Sequence, residues 1–153
     1  MAILLLSFLI GIVAGLRAVT APAAAAIGAR YFGLDATGTP LAFMGYAWTP
    51  WIFALLAVGE LVTDQLPSTP SRKVPAQFGT RIVMGALAGG TIAAGSGNLV
   101  AGLALGAVGA VIGTLGGATA RARLAAAFGR DRPAALIEDA VAIGGALLIV
   151  LAA

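Results

Sequence analysis

Arg17 is the first residue of this sequence that could do chemistry. It lies in Gly15-Leu16-Arg17-Ala18-Val19-Thr20-Ala21-Pro22, with fifteen uncharged residues between Met1 and it and twelve between it and Arg30. A guanidinium near the middle of a bilayer costs at least ~2.5–3.5 kcal/mol, so it faces a partner or a wet cavity rather than lipid. The acids on offer are few. Glu60 and Asp64, four apart, share a helical face, and Glu138 and Asp139 are adjacent. Together Arg17, Thr20, Glu60, Asp64, Glu138 and Asp139 make a candidate substrate-binding set. Their chemistry would be to hold a cation, a proton or a small anionic solute. The competing reading is structural: Glu138 or Asp139 pairs Arg121 or Arg123, and Glu60 or Asp64 pairs Arg72, Lys73 or Arg81.

A second candidate lies in Pro67-Ser68-Thr69-Pro70-Ser71-Arg72-Lys73, where hydroxyls stand beside two cations. Ser71, Arg72 and Lys73 could hold a lipid phosphate through hydroxyl donors and an Arg fork. The same run also reads as a stiff two-proline connector with ordinary loop charges. The chain has no Cys and no His, which removes disulfides, thiolate chemistry, imidazole bases and the common zinc, haem and iron–sulfur sites. No nucleophile, metal cluster or cofactor motif accompanies the acids, so no catalytic residue, metal, cofactor or enzyme activity is expected. The net charge of +3 comes without aromatic residues interleaved among basic ones. Acidic lipid headgroups are the expected partner, and nucleic acid is not.

The elements that must position these residues follow from composition. With 60% hydrophobic and 10% charged residues and a mean hydropathy of +1.02, the chain reads as one integral membrane domain over 1–153. Its start lacks the basic leader of a secretory signal, so the first segment is expected to remain as a helix. A span needs about twenty residues. The first covers Ala2 to Ala23, and the second covers Gly45 to Leu66, opening on Tyr46, Trp48 and Trp51 as an interfacial belt. Between Arg81 and Arg121 lie thirty-nine uncharged residues, too many for one crossing, with a turn signal at Gly95-Ser96-Gly97-Asn98. That gives a third span over Ala76 to Ala94, a fourth over Leu99 to Ala120 and a fifth from Pro133 to Leu151. Arg81 leaves the third either snorkelling or re-entrant.

The expected fold is therefore all-α, a polytopic membrane bundle of about five transmembrane helices. Basic residues crowd the loops after spans two and four, which places those loops and the N-terminus in the cytoplasm and the C-terminus in the periplasm. This topology raises a difficulty. A straight first helix puts Arg17 some 22 Å from its cytoplasmic start, whereas Glu60 lies only some 9 Å from that face. The two levels match only if Gly15 and Pro22 break the segment.

Two stretches, 15–35 and 116–131, are weakly alike, which suggests a two-helix inverted repeat joined by a central helix. Gly102, Gly106, Gly109, Gly113 and Gly117 recur down the fourth span, and Gly85 and Gly89 recur on the third; such spacing brings backbones close, within the bundle or across a homo-oligomer.

Three motifs carry a family resemblance: Gly-Leu-Arg-Ala-Val-Thr-Ala-Pro-Ala at 15–23, Gly-Glu-Leu-Val-Thr-Asp-Gln-Leu-Pro-Ser-Thr-Pro-Ser-Arg at 59–72, and Ile-Glu-Asp at 137–139. The chain resembles the bacterial membrane family called domain of unknown function 4126 over nearly its whole length. The resemblance implies a small multi-pass inner-membrane protein in which Arg17, Glu60, Asp64, Arg72, Glu138 and Asp139 matter together. It implies no reaction and no substrate. The functional expectation is a transporter- or channel-like pathway for an ion or small polar solute, in a homo-oligomer. The alternative is a non-transporting membrane protein that binds anionic lipid or scaffolds a partner. A water-accessible cavity reaching Arg17 and an acid favours the first; dry, fully paired bridges count against it.

Overall fold

The computed structural model describes residues 1–64 and 71–153, and every regular element among them is helical. The helices are α1 (Ala2–Leu16), α2 (Thr20–Tyr31), α3 (Thr49–Thr63), α4 (Pro75–Ala94), α5 (Leu99–Phe128) and α6 (Asp131–Ala152), with a short 3-10 turn at Ala42–Gly45 before α3. Their ends follow local chemistry. Pro50 and Pro75 occupy first-turn positions, where the missing N–H costs nothing. Gly129, at φ +70°, supplies the left-handed residue that stops α5 and lets α6 start two residues later. The turn expected at 95–98 separates α4 from α5.

Glycine contacts give the helix directions. A Cβ on Gly11 would strike the carbonyl of Gly106, and one on Gly15 would strike the backbone of Gly113 and Thr114, so α1 and α5 run the same way. Gly85 faces Gly106 and Ala110 while Gly89 faces Gly102, so α4 runs against α5. The start of α2 lies beside Glu60, and Gly28 near its end abuts Val150 near the end of α6. Hence α2 and α6 run together, opposite to α1 and α5.

The fold is thus three helical hairpins, α1–α2, α3–α4 and α5–α6, with their tips at one end of the bundle. This arrangement corrects three expectations. The first segment is two helices of opposite direction, and α1 starts where α6 finishes, so both chain ends lie at one end of the bundle rather than at opposite ends. Residue counting registers an uncharged stretch but not a reversal inside it. The stretches at 15–35 and 116–131 begin on parallel helices, so they are not an inverted pair. Arg81 does not snorkel: it is buried within α4, which is continuous over 20 residues.

α5 and α6 are long and apolar enough to cross a membrane. At 15 residues each, α1 and α3 reach about 22 Å, short of a hydrocarbon core of roughly 30 Å. The expected second span loses its edges: Tyr46 and Trp48 precede α3, and Gln65 and Leu66 lie outside the described residues. The interior is built largely from Ala and Gly with Ile10, Val13, Met44 and Ile92, while Trp48, Trp51, Leu55, Ile112, Leu136 and Leu148 face outward. Small residues inside let backbones touch, and large apolar ones outside suit an apolar solvent.

Candidate functional site

At the tip of the first hairpin the chain leaves α1 at Leu16, passes through Arg17 in extended conformation (φ −136°, ψ 109°), and re-enters a helix at Thr20. The break falls between Gly15 and Pro22. Pro22 is the third residue of α2, where a helix needs no N–H donor. Such a reversal inside a bundle leaves the last carbonyls of α1 and the N–H groups of the connection without helical partners. Two side chains from elsewhere meet them. Glu60, in the last turn of α3, accepts from Ala18 N–H at 2.7 Å through Oε1 and from Val19 N–H at 2.8 Å through Oε2. Arg81 Nη1 donates to the carbonyls of Gly15 at 3.0 Å and Leu16 at 2.8 Å. A carboxylate thus sits at the N-terminal end of α2 and a cation at the C-terminal end of α1, each favoured by the helix dipole.

Arg17 itself is completely buried. Its Nε donates to Asp139 Oδ1 at 2.5 Å, its Nη1 to Asp64 Oδ2, and its Nη2 lies 3.9 Å from Glu138 Oε2. Glu138 is gripped in turn by Arg72 through both nitrogens, at 2.5 and 2.8 Å, and by Arg121 Nη1 at 3.3 Å. Arg121 also forks onto Asp131, at 2.9 and 2.5 Å, across the α5–α6 hairpin. Arg81 Nη2 stands 3.8 Å from Glu60 Oε1. The network joins four guanidinium groups to five carboxylates, one negative charge in excess. Placing so many ions in a low-dielectric interior is costly, and only dense mutual pairing holds them there.

All six residues of the candidate substrate-binding set gather here. Arg17, Asp64, Glu138 and Asp139 form ion pairs, and Glu60 closes the break. Thr20, at the start of α2, is buried with its hydroxyl unpartnered, as is Arg81 Nε. Both structural and functional readings of the acids thus contain part of the geometry: Glu138 does meet Arg121, yet Asp64 and Asp139 belong to Arg17. Arg123 makes no ion pair among the described residues and is exposed. Of the lipid-headgroup set, Arg72 is committed to Glu138. Ser71 accepts the backbone N–H of Lys73 through Oγ at 3.3 Å, and Lys73 is exposed. Pro67, Ser68, Thr69 and Pro70 lie outside the described residues. Among the described residues no three acids converge as metal ligands.

Arg81 was offered from the sequence only as an ion partner of Glu60 or Asp64 and not as a site residue; it stands beside Glu60 and also closes the end of α1. The signal was present, a charge inside a span, and it was the same signal that singled out Arg17. At the other end Asp35 accepts from the Thr37 hydroxyl at 2.5 Å and the Thr37 N–H at 2.8 Å, which holds its carboxyl below the usual range.

An apolar crevice of about 230 Å³ adjoins the network between α5 and α6, lined by Leu16, Gly116, Gly117, Ala120, Leu124 and Val141 among others, with Arg121 and Glu138 as its polar residues. It reaches Glu138 but not Arg17. Compared with known protein families, curated proteins and solved structures, the chain matches none. The resemblance to domain of unknown function 4126 therefore rests on the three motifs that carry it.

Proposed function

We propose that this protein is a multi-pass membrane protein of transporter-like type, caught with its pathway closed at the end where the three hairpin tips meet. The observation that carries the reading is the helix reversal at Arg17–Val19 whose free backbone groups are met by ionic side chains of other helices. Discontinuous helices in transporters offer the same groups to cargo: N–H ends to anions, carbonyl ends to cations. Here Glu60 and Arg81 take those places. Cargo binding would exchange one ionic partner for another rather than expose an unsatisfied helix end.

The complete burial of Arg17 argues for a closed state, and the crevice between α5 and α6 reaches Glu138 without including Arg17. The pairing is nevertheless incomplete, because Thr20 Oγ1 and Arg81 Nε are buried without partners beside the break. Unsatisfied buried polar atoms call for a polar occupant such as water, an ion or a small solute. With one carboxylate in excess, a proton or a monovalent cation is the simplest species to move. Positive-inside bias then sets the hairpin tips, with Arg72, Lys73, Arg123, Arg130 and Arg132, in the cytoplasm, and puts both termini in the periplasm of a bacterial inner membrane.

The test uses proteoliposomes containing a trapped pH-sensitive dye and imposed sodium, potassium or proton gradients. Flux that Glu60→Gln abolishes supports the reading. In parallel, Thr20→Cys in this cysteine-free chain reports access to the break: a small water-soluble thiol reagent is expected to modify it in membranes. Complete protection of position 20 together with absent flux rejects the transporter reading. Cysteines at Ser96 and Ala153 are expected to label from the same side; labelling from opposite sides rejects the topology.

A further inference from the structure

The α5–α6 hairpin carries a second feature that the transporter reading does not use. The crevice between these helices is walled by Leu16, Gly116, Gly117, Ala120, Leu124 and Val141. Its volume of about 230 Å³ is below the ~300–1,000 Å³ typical of pockets for drug-sized solutes. A hydrocarbon-walled cleft of this size suits a segment of an acyl chain better than a compact polar solute, for which its lining offers few hydrogen-bond partners. The acids beside the cleft, Glu138 and Asp131, are already paired with arginines, so the charge left over at this tip is positive. Five of the six acids of the chain are in the ion network, and the sixth, Asp35, is at the far end of the bundle. Arg123 on α5, Arg130 in the turn and Arg132 on α6 are exposed, and each is without an ion pair among the described residues.

We infer that the α5–α6 crevice is a binding site for an anionic phospholipid, with one acyl chain between the helices and the phosphate at the hairpin tip among Arg123, Arg130 and Arg132. Arg121, at the polar edge of the crevice, is spent on Asp131 and Glu138, so it orders the tip rather than greeting the ligand. A second copy of the chain is the poorer occupant. Two such hairpins packed on each other would bring like-charged tips together, whereas a phosphodiester neutralises them. The missing Cβ at Gly117 makes room for Leu16, whereas the one at Gly116 leaves the cleft open. At Gly116 an added side chain would meet nothing within 4 Å, so this position is open to an occupant.

The full-length protein is reconstituted into vesicles of equal phosphatidylglycerol and phosphatidylcholine, extracted gently, and its retained lipids are counted by native mass spectrometry. The wild type is expected to keep phosphatidylglycerol in preference to phosphatidylcholine. The variant Arg123→Ala/Arg130→Ala/Arg132→Ala is expected to lose that preference, an effect on the order of a hundredfold in affinity for three interfacial cations. Gly116→Leu, which enters the crevice and leaves every charge in place, is expected to lose retention with no fall in the midpoint of thermal unfolding. Equal retention of both lipids by the wild type overturns the proposal. So does full retention by Gly116→Leu, or a lipid-free dimer that Gly116→Leu dissociates. None of these outcomes depends on whether the network at Arg17 conducts.

Discussion

The two ends of this bundle are held by different physics. At the end bearing Gly95–Asn98 and the loop around Asp35, the chain turns through glycines of positive φ and short-range hydrogen bonds, such as Asn98 to Ser96 and Asp35 to Thr37. At the hairpin-tip end the connections are tied to one another by charged side chains reaching groups far apart in sequence: Arg17 to Asp139, Arg72 to Glu138, and Arg81 to the Gly15 carbonyl. Local bonding stabilises each turn singly. A shared ion network makes every tip depend on the other two. The difference teaches that an end built from coupled, buried ions either holds as a unit or rearranges as a unit, which is what a gate requires.

The sharpest way to break this contrast is Arg17→Leu. It leaves Asp64 and Asp139 facing each other without their cation, and the loss of one partner from a buried network costs about 3–5 kcal/mol. Thermal unfolding in detergent is expected to show a large drop, partly restored when Asp64→Asn and Asp139→Asn are added. An unchanged midpoint would show that the network contributes nothing to the tips.

Glu60→Ala comes next. It frees the N–H groups of Ala18 and Val19, and an unsatisfied buried donor costs about 1–3 kcal/mol. Amide exchange at these two positions is expected to accelerate more than at Gly28, at the opposite end of α2. Equal acceleration throughout α2 would mean that Glu60 supports the whole helix rather than the break.

Gly106→Ala acts between the two ends. Its methyl group would strike the Gly85 carbonyl, and overpacking of this kind costs about 1–3 kcal/mol. Gly116→Ala is its control: no atom stands near and the helix gains about 1 kcal/mol of propensity. The pair is expected to move the midpoint of unfolding in opposite directions.

The smallest effect belongs to Asp35 at the other end. Its carboxyl is held low by the Thr37 hydroxyl and then by the Thr37 N–H. A depressed carboxyl contributes stability above its unfolded value of about 3.9 and loses that contribution as pH falls through its lower folded value. Acidification through that window is expected to shift the Thr37 amide resonance while global unfolding is unmoved. Asp35→Asn should likewise leave the unfolding midpoint where it is. A global transition tracking Asp35 would erase the distinction between the ends.

Much of the site was legible from residue type. A buried cation must find acids, so Arg17 pointed to Glu60, Asp64, Glu138 and Asp139 before any fold was known, and all four lie around it or its break. The glycines at 85, 89, 102, 106, 109 and 113 were legible as packing positions, and their contacts with neighbouring helices agree. Direction was not legible. The stretch from Ala2 to Ala23 looked like one crossing with Arg17 embedded in it, because an apolar helix has the same composition whichever way it runs. The apparent depth mismatch between Arg17 and Glu60 followed from that single misreading. Once α1 begins at the opposite end, its fifteen residues carry Arg17 to the level of the acids.

The sequence by itself determined the inventory: an apolar chain without thiol or imidazole, long helices separated by glycine and proline signals, and more cations than acids. Those properties reside in each residue and its near neighbours. The tertiary structure alone decided that the chain reverses at Arg17, that Glu60 and Arg81 fill the two helix ends exposed there, and that Arg123, Arg130 and Arg132 have no ion pair among the described residues. The reason is that an ion's partner is selected by distance in space, and Arg17 and Asp139 are 122 residues apart along the chain.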